Sequence, residues 1–200
     1  LFDLQSIDSA FLRELPVEGV CRMAVDVARF GTDSTVIGVR IGGVVVRMET
    51  IQGSNTIEVS NRVAEIALEY SPEYIFIDSV GVGSGVVDQA LMMGLHGVVG
   101  INVAVAARNK ERFRNRRAEL YWSLRQRFEE GNISLPEDDI VRQELMSIRY
   151  SYTLSGQVMI ENKRDSKSRG VPSPDHADML AMLFDDSWED IEKFVERSSP

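Results

Sequence analysis

The stretch Cys21–Thr35, CRMAVDVARFGTDST, decides how the rest of the chain is read. Its apolar run places Asp26 near the end of a strand, and the glycine and Thr-Asp-Ser that follow turn the chain before the next apolar run. A carboxylate in a sheet core needs a partner: buried alone, it is strongly destabilising or is forced to take up a proton. Two later stretches set acids in similar surroundings. Tyr74–Gly85, YIFIDSVGVGSG, puts Asp78 at the end of an entirely apolar run, and Pro172–Phe184, PSPDHADMLAMLF, puts Asp175 and Asp178 one turn apart on a helix that is apolar almost all round. The pattern implies a fold that brings these acids together.

Working outward, strands are expected over about 20 to 28, 35 to 41 and 44 to 52, the last two joined by a hairpin turn at Gly42-Gly43. Residues 56 to 69 carry Ile57, Val63, Ile66, Ala67 and Tyr70 near a 3.6 period, an amphipathic helix that ends before Pro72. Tyr74–Ile77 reads as a central strand covered on both faces. A glycine-rich loop, Gly81–Gly85, leads into a helix (Val86–Met93) and a fifth strand (Val98–Val105). Beyond these lie a long helix over about 113 to 130 closed by Gly131, a short helix over 137 to 147, and a second hairpin from Arg149 to Asn162. A polar, charged loop is expected at Lys163–Gly170, and a last helix runs from Pro174 to near Asp186. A crossover helix between the third and fourth strands sets the fourth beside the first and parallel to it. Asp26 and Asp78 then share one end of two adjacent central strands, where open sheets bind ligands.

Length and composition bound the rest. Two hundred residues make one domain with short appendages: a lead-in helix or linker over 1 to 19, the main domain over 20 to 187, and a tail over 188 to 200. A hydrophobic fraction of 44% supports a real core. Cys21 is the single cysteine, which rules out an intramolecular disulfide and fits a reducing compartment. No apolar run approaches the roughly 18 residues of a membrane span, and no signal-peptide pattern opens the chain. Because it begins on Leu1, the chain reads as a piece of something longer.

Several carboxylates without a Cys or His cluster suit Mg²⁺ or Mn²⁺, hard ions that prefer oxygen. Two such ions about 3.5–4 Å apart activate water and stabilise the leaving oxygen of a phosphodiester. Asp33, in the turn after Asp26, either reaches the same ions or closes an Asx turn. Neither His96 nor His176 has a ligand's spacing, and His176 reads as a surface residue beside the acids. Net charge is −9, yet Arg108–Arg127 holds eight cations against Glu111 and Glu119. That contrast marks a phosphate-binding face, with Arg112, Arg114, Arg116 and Arg117 as candidate contacts. A solvated helix face is the alternative. Lys163, Arg164, Lys167 and Arg169 form a second, looser basic cluster beside the last helix.

Taken together, VDVARFGTDST, FIDSVGVGSGVVD, FRNRRAELYWSLRQRFEEGNISLP, IENKRDSKSRG and SPDHADMLAM resemble the nuclease domain of the large terminase subunit of tailed bacteriophages. The resemblance covers about residues 20 to 186 and implies a ribonuclease-H-like α/β fold: a central mixed five-stranded sheet flanked by helices, with an additional β-hairpin. It implies an endonuclease that cuts double-stranded concatemeric viral DNA during genome packaging, with Mg²⁺ or Mn²⁺ as two ions and little sequence preference. Asp26, Asp78 and the Asp175/Asp178 pair fall where the family's acids lie. The resemblance also implies an upstream ATPase domain in the same protein, the portal and the small terminase subunit as partners, and action in the host cytoplasm. No P-loop motif occurs in this chain. Holliday-junction resolvases share the fold and an Asp-x-x-Asp-Ala ending, but Met179 replaces the alanine here. An actin-like ATP-binding domain also pairs such acids and glycines, but its two lobes do not fit in 200 residues. A Rossmann-type reading fails because GVGSG lacks the full glycine fingerprint.

Overall fold

In a computed structural model of the chain, which describes residues 1–28 and 34–187, β1 (Cys21–Asp26) lies at the middle of a five-stranded sheet. It pairs antiparallel with β2 (Thr35–Ile41), which pairs antiparallel with β3 (Val44–Ile51). On its other side β1 pairs parallel with β4 (Tyr74–Asp78), and β4 with β5 (Val98–Ile101). The order is β3-β2-β1-β4-β5, the mixed sheet expected for a ribonuclease-H-like fold. Val25 pairs with Ile77, so Asp26 and Asp78 follow the last paired residues at the same end of neighbouring strands.

Period-two alternation divides the sheet's side chains between two helical layers. Met23, Val25, Ile37, Val39, Ile75 and Ile77 pack on one face, against α2 (Thr56–Tyr70) and α3 (Gly83–Met92). Ala24, Val36, Phe76 and Ile101 pack on the other, against α4 (Arg116–Glu130) and α7 (Asp175–Leu183). By the same parity Arg22, Asp26 and Asp78 face the α4 and α7 layer. α5 (Asp139–Ser147) flanks α7, and α1 (Leu4–Leu12) buries Ile7 and Ala10 in this second core. The lead-in segment is therefore packed rather than strung out. A two-stranded ribbon, β6 (Tyr150–Tyr152) and β7 (Val158–Ile160), stands beside the start of α4.

Several boundaries differ from expectation. The fifth strand stops at Ile101, the long helix begins only at Arg116, and the last helix ends at Leu183. Asn115 explains the second: its side chain caps α4 by accepting from the Ala118 N–H at 3.0 Å. The charged segment after the ribbon is a helix, α6 (Lys163–Ser168), not a loop. Asn162 starts it by accepting from the Asp165 N–H at 2.9 Å.

α7 lies close on the sheet because Gly38 leaves room for it. A Cβ at that position would stand 2.3 Å from the Met179 sulfur. The helix spans its nine residues in about 12 Å at 1.5 Å per residue, and Arg22 to Asp26 on β1 spans about 13 Å at 3.3 Å per residue. The two therefore match end for end: Asp26 and Asp175 line one cavity, and Arg22 donates to the Asp185 carbonyl just past the other end of α7.

Candidate metal centre

Asp26 ends β1 and is only 5% exposed. Asp78 ends β4, and its Oδ1 accepts from the Val80 N–H at 2.9 Å, closing an Asx turn that aims the chain into α3. Gly83 is required there, since a Cβ would lie 1.7 Å from the Asp78 carbonyl oxygen. Asp175 is the first residue of α7; it is 8% exposed, and its Oδ2 accepts from the Ser34 N–H at 3.1 Å. That bond ties the last helix to the connection between β1 and β2. The three carboxylates thus reach one place from three separate elements.

The place is a cavity of about 470 Å³, lined by Asp26, Asp78, Asp175 and Asp178 together with Asn115, Arg117, Asn162 and Lys167. Asp178 is bound differently from its neighbours. Its Oδ1 accepts from Arg117 Nε at 3.2 Å and Nη2 at 3.0 Å, and from the Tyr121 hydroxyl at 2.7 Å. Burial alone would lower the Arg117 guanidinium, but Asp178 and Tyr121 outweigh it and hold the group above its ordinary value. Burial first, and then the Asp178 charge, push the Tyr121 phenol well above 10. Arg117 and Tyr121 are therefore fixed as donors to this carboxylate. Asp175 is buried and Asp178 only partly so, although the apolar residues that follow Asp178 on the helix would suggest that it is the deeper of the two.

Carboxylates from three elements, with no cysteine or histidine among the described residues of the cavity wall, form a donor set that suits a hard divalent cation. Among the described residues no three or more Asp, Glu, His or Cys side chains stand close enough together, as they are placed, to hold a metal ion. Mutual repulsion of like charges opposes a tight cluster before a cation is bound. Asp33 and the side chain of Lys163 lie outside the described residues.

The basic residues divide into two sets. Arg112 and Arg114 are exposed, and the Arg112 guanidinium lies over Phe113 and Trp122, 5.1 and 5.2 Å from the ring centres. Arg116 faces inward instead: it is 7% exposed and paired with Asp185 and with Glu119. Arg117 points at Asp178 and also donates to the Glu161 carbonyl at 2.8 Å. Arg164 and Lys167 are exposed on α6, and Lys167 reaches the cavity. His176 is not a surface residue. It is 6% exposed and bridges Glu144 and Thr50, each at 2.9 Å.

Sequence reasoning missed four residues here. Asn115 and Asn162 line the cavity, and both were legible as helix caps. Tyr121 and Glu144 carried no local signal, since their partners lie 57 residues away for Tyr121 and 32 and 33 for Glu144.

The strand order and the end of the sheet that carries the acids define the chain as ribonuclease-H-like, with an acidic cleft between β1, β4 and α7. Solved structures similar to it in fold include the nuclease domain of the large terminase subunit gp2 of bacterial virus Sf6. It matches with a TM-score of 0.82 at 20% identity, over 92% of this chain and 97% of that one. A point mutant of that domain, solved with manganese and beta-thujaplicinol, matches with a TM-score of 0.82 at 19% identity, over the same shares. The large terminase nuclease from thermophilic phage G20c, solved with bound magnesium, gives 0.68 at 18% identity, over 92% of this chain and 96% of that one. The chain therefore has the fold of large terminase nuclease domains. No family model and no curated protein sequence matches it.

Proposed function

We propose that this domain is a Mg²⁺- or Mn²⁺-dependent endonuclease that cuts double-stranded DNA with little sequence preference, and that in a phage it processes concatemeric DNA during packaging. The observation that carries this reading is the convergence of Asp26, Asp78 and Asp175, from three elements, on one cavity at the sheet's open end. Asp26, Asp78 and Asp175 would hold the ions, with Asp178 bearing on the site through its Arg117 and Tyr121 clamp. When bound, a pair of divalent ions supplies an activated water and charge stabilisation at the leaving oxygen. Lys167 stands at the cavity wall, where its ammonium can neutralise a scissile phosphate. Arg112 and Arg114, exposed at the start of the long helix, are placed for the flanking backbone. The likeness in fold to terminase nucleases solved with manganese and magnesium supports the same reading. It also favours an upstream ATPase, a portal and a small terminase subunit as the working context.

The test is cleavage of a supercoiled plasmid by purified protein. Nicked and linear products are expected with Mg²⁺ or Mn²⁺, poor activity with Zn²⁺ and none in excess EDTA. Comparable cleavage in EDTA would overturn the proposal.

A further inference from the structure

α7 begins without a cap of its own. Pro174 precedes it and offers no side-chain acceptor, yet the first turn carries Asp175 into the cavity. The acceptor comes from another helix. Glu144 on α5 places Oε2 2.9 Å from the Ala177 N–H, an unsatisfied donor of that first turn, and Oε1 2.9 Å from His176 Nδ1. The far side of the same imidazole meets Thr50 on β3, Nε2 to Oγ1 at 2.9 Å. The two residues that follow Asp175 are thus gripped by one carboxylate, and the grip extends to the sheet edge. α5 is itself held to α1 by Arg142 and Asp8 at 3.0 Å. A carboxylate at a helix N-terminus also lies favourably in the helix dipole.

We propose that Glu144 is a positioning residue for the metal centre: by capping α7 from α5 it fixes the rotation and depth of the first turn, and with them the direction of Asp175. The inference rests on the metal-dependent reading above. The other holds on this turn come from different directions: Asp175 accepts from the Ser34 N–H, and Asp178 from Arg117 and Tyr121, while among the described residues Glu144 is the side-chain acceptor for the first-turn N–H of Ala177. Outer partners that orient a metal-binding group typically account for about 10–100-fold in affinity.

The experiment compares wild type with Glu144→Ala, Glu144→Asp and Glu144→Gln, titrating Mn²⁺ by electron paramagnetic resonance and by calorimetry well below each variant's melting temperature. Glutamine is the rescue: its oxygen can accept from the Ala177 N–H while its amide meets the imidazole. Aspartate keeps the charge but draws it back by one methylene, and it serves if the alanine variant does not fold. Alanine and aspartate are expected to weaken Mn²⁺ binding about tenfold and to change the spectrum of the bound ion. Glutamine should stay within about threefold of wild type. Wild-type affinity and spectrum in folded alanine or aspartate variants would overturn this inference alone. Absence of Mn²⁺ binding by wild type would overturn the metal reading and this inference with it.

Discussion

Two aspartates one helical turn apart make different contacts. Both line the cavity with Asp26 and Asp78, but Asp175 accepts from the Ser34 backbone N–H, whereas Asp178 accepts from a guanidinium and a phenol. Replacing Asp178 with asparagine leaves the Arg117 charge facing a neutral amide in a half-buried setting. Removing one member of a buried pair costs about 3 kcal/mol, which lowers the melting temperature of a chain this size by roughly 6–12 °C. That loss is expected without any metal. Asp175→Asn should instead leave the metal-free melt nearly unchanged and lose the upward shift that Mn²⁺ gives wild type. Melts of both variants, with and without Mn²⁺, check this; matching curves would show the two acids to be equivalent. Asp26→Asn and Asp78→Asn are expected to reduce plasmid cleavage to background while circular dichroism reports a folded protein. Wild-type cleavage by either variant would remove that residue from the site.

At the scale of elements, the basic stretch is less uniform than its composition suggests. Arg116, Arg117 and Arg127 turn inward to Asp185, Asp178 and Asp186, and Arg125 pairs with Glu129. Arg112 and Arg114 remain exposed. Replacing both with alanine is expected to weaken binding to any DNA sequence and to reduce the slope of log affinity against log salt by about two. Arg116→Ala should lower the melting temperature and leave that slope alone; an unchanged slope in the double variant would assign the outer residues to solvent. The inward partners could not be read from sequence because they lie 69 residues away for Arg116 and 61 for Arg117. The sheet was legible for the opposite reason: its strands announce themselves in apolar runs, and crossover chirality then sets their order. α6 went unread because KRDSKS is polar on every side and offers no period to detect. The acids were legible through their setting, since a carboxylate closing an apolar run stands out. The clamp on Asp178 and the cap from Glu144 were not, because each joins elements distant in the chain.

For the whole molecule, two sets of charges bound the pH range of greatest stability from opposite sides. On the acid side, hydrogen bonds from Arg62, and then from Arg47, hold the Glu49 carboxyl down at about 2 against an ordinary 4.5. Burial would raise Asp186, but Arg40, Arg127 and Arg22 outweigh it and hold it below 3.8. A depressed carboxylate contributes stability that is present above its ordinary value and lost as pH falls through the folded one. Both side chains are partly exposed, 25% for Glu49 and 30% for Asp186, so solvent screens both, and Asp186, which faces three guanidiniums rather than two, should dominate that loss. On the basic side, burial would lower His176, but the Glu144 hydrogen bond and charge, with Asp138 and Asp175 nearby, leave it above 6.5. A raised histidine contributes stability that is complete below its ordinary value and lost as pH rises through the folded one. The two signs leave a window between 4.5 and 6.5 in which all three contributions stand together. Melting temperature in metal-free buffer is therefore expected to peak near pH 5.5 and to fall toward both pH 3 and pH 8. His176→Gln should flatten the fall between pH 6 and 8, and Asp186→Asn should flatten the fall between pH 5 and 3 from a lower starting point. A wild-type melt that keeps rising from pH 5.5 to 8 would mean that the Glu144–His176 bridge adds nothing to the fold, while equal slopes in the Asp186 variant and wild type would locate the acid sensitivity elsewhere.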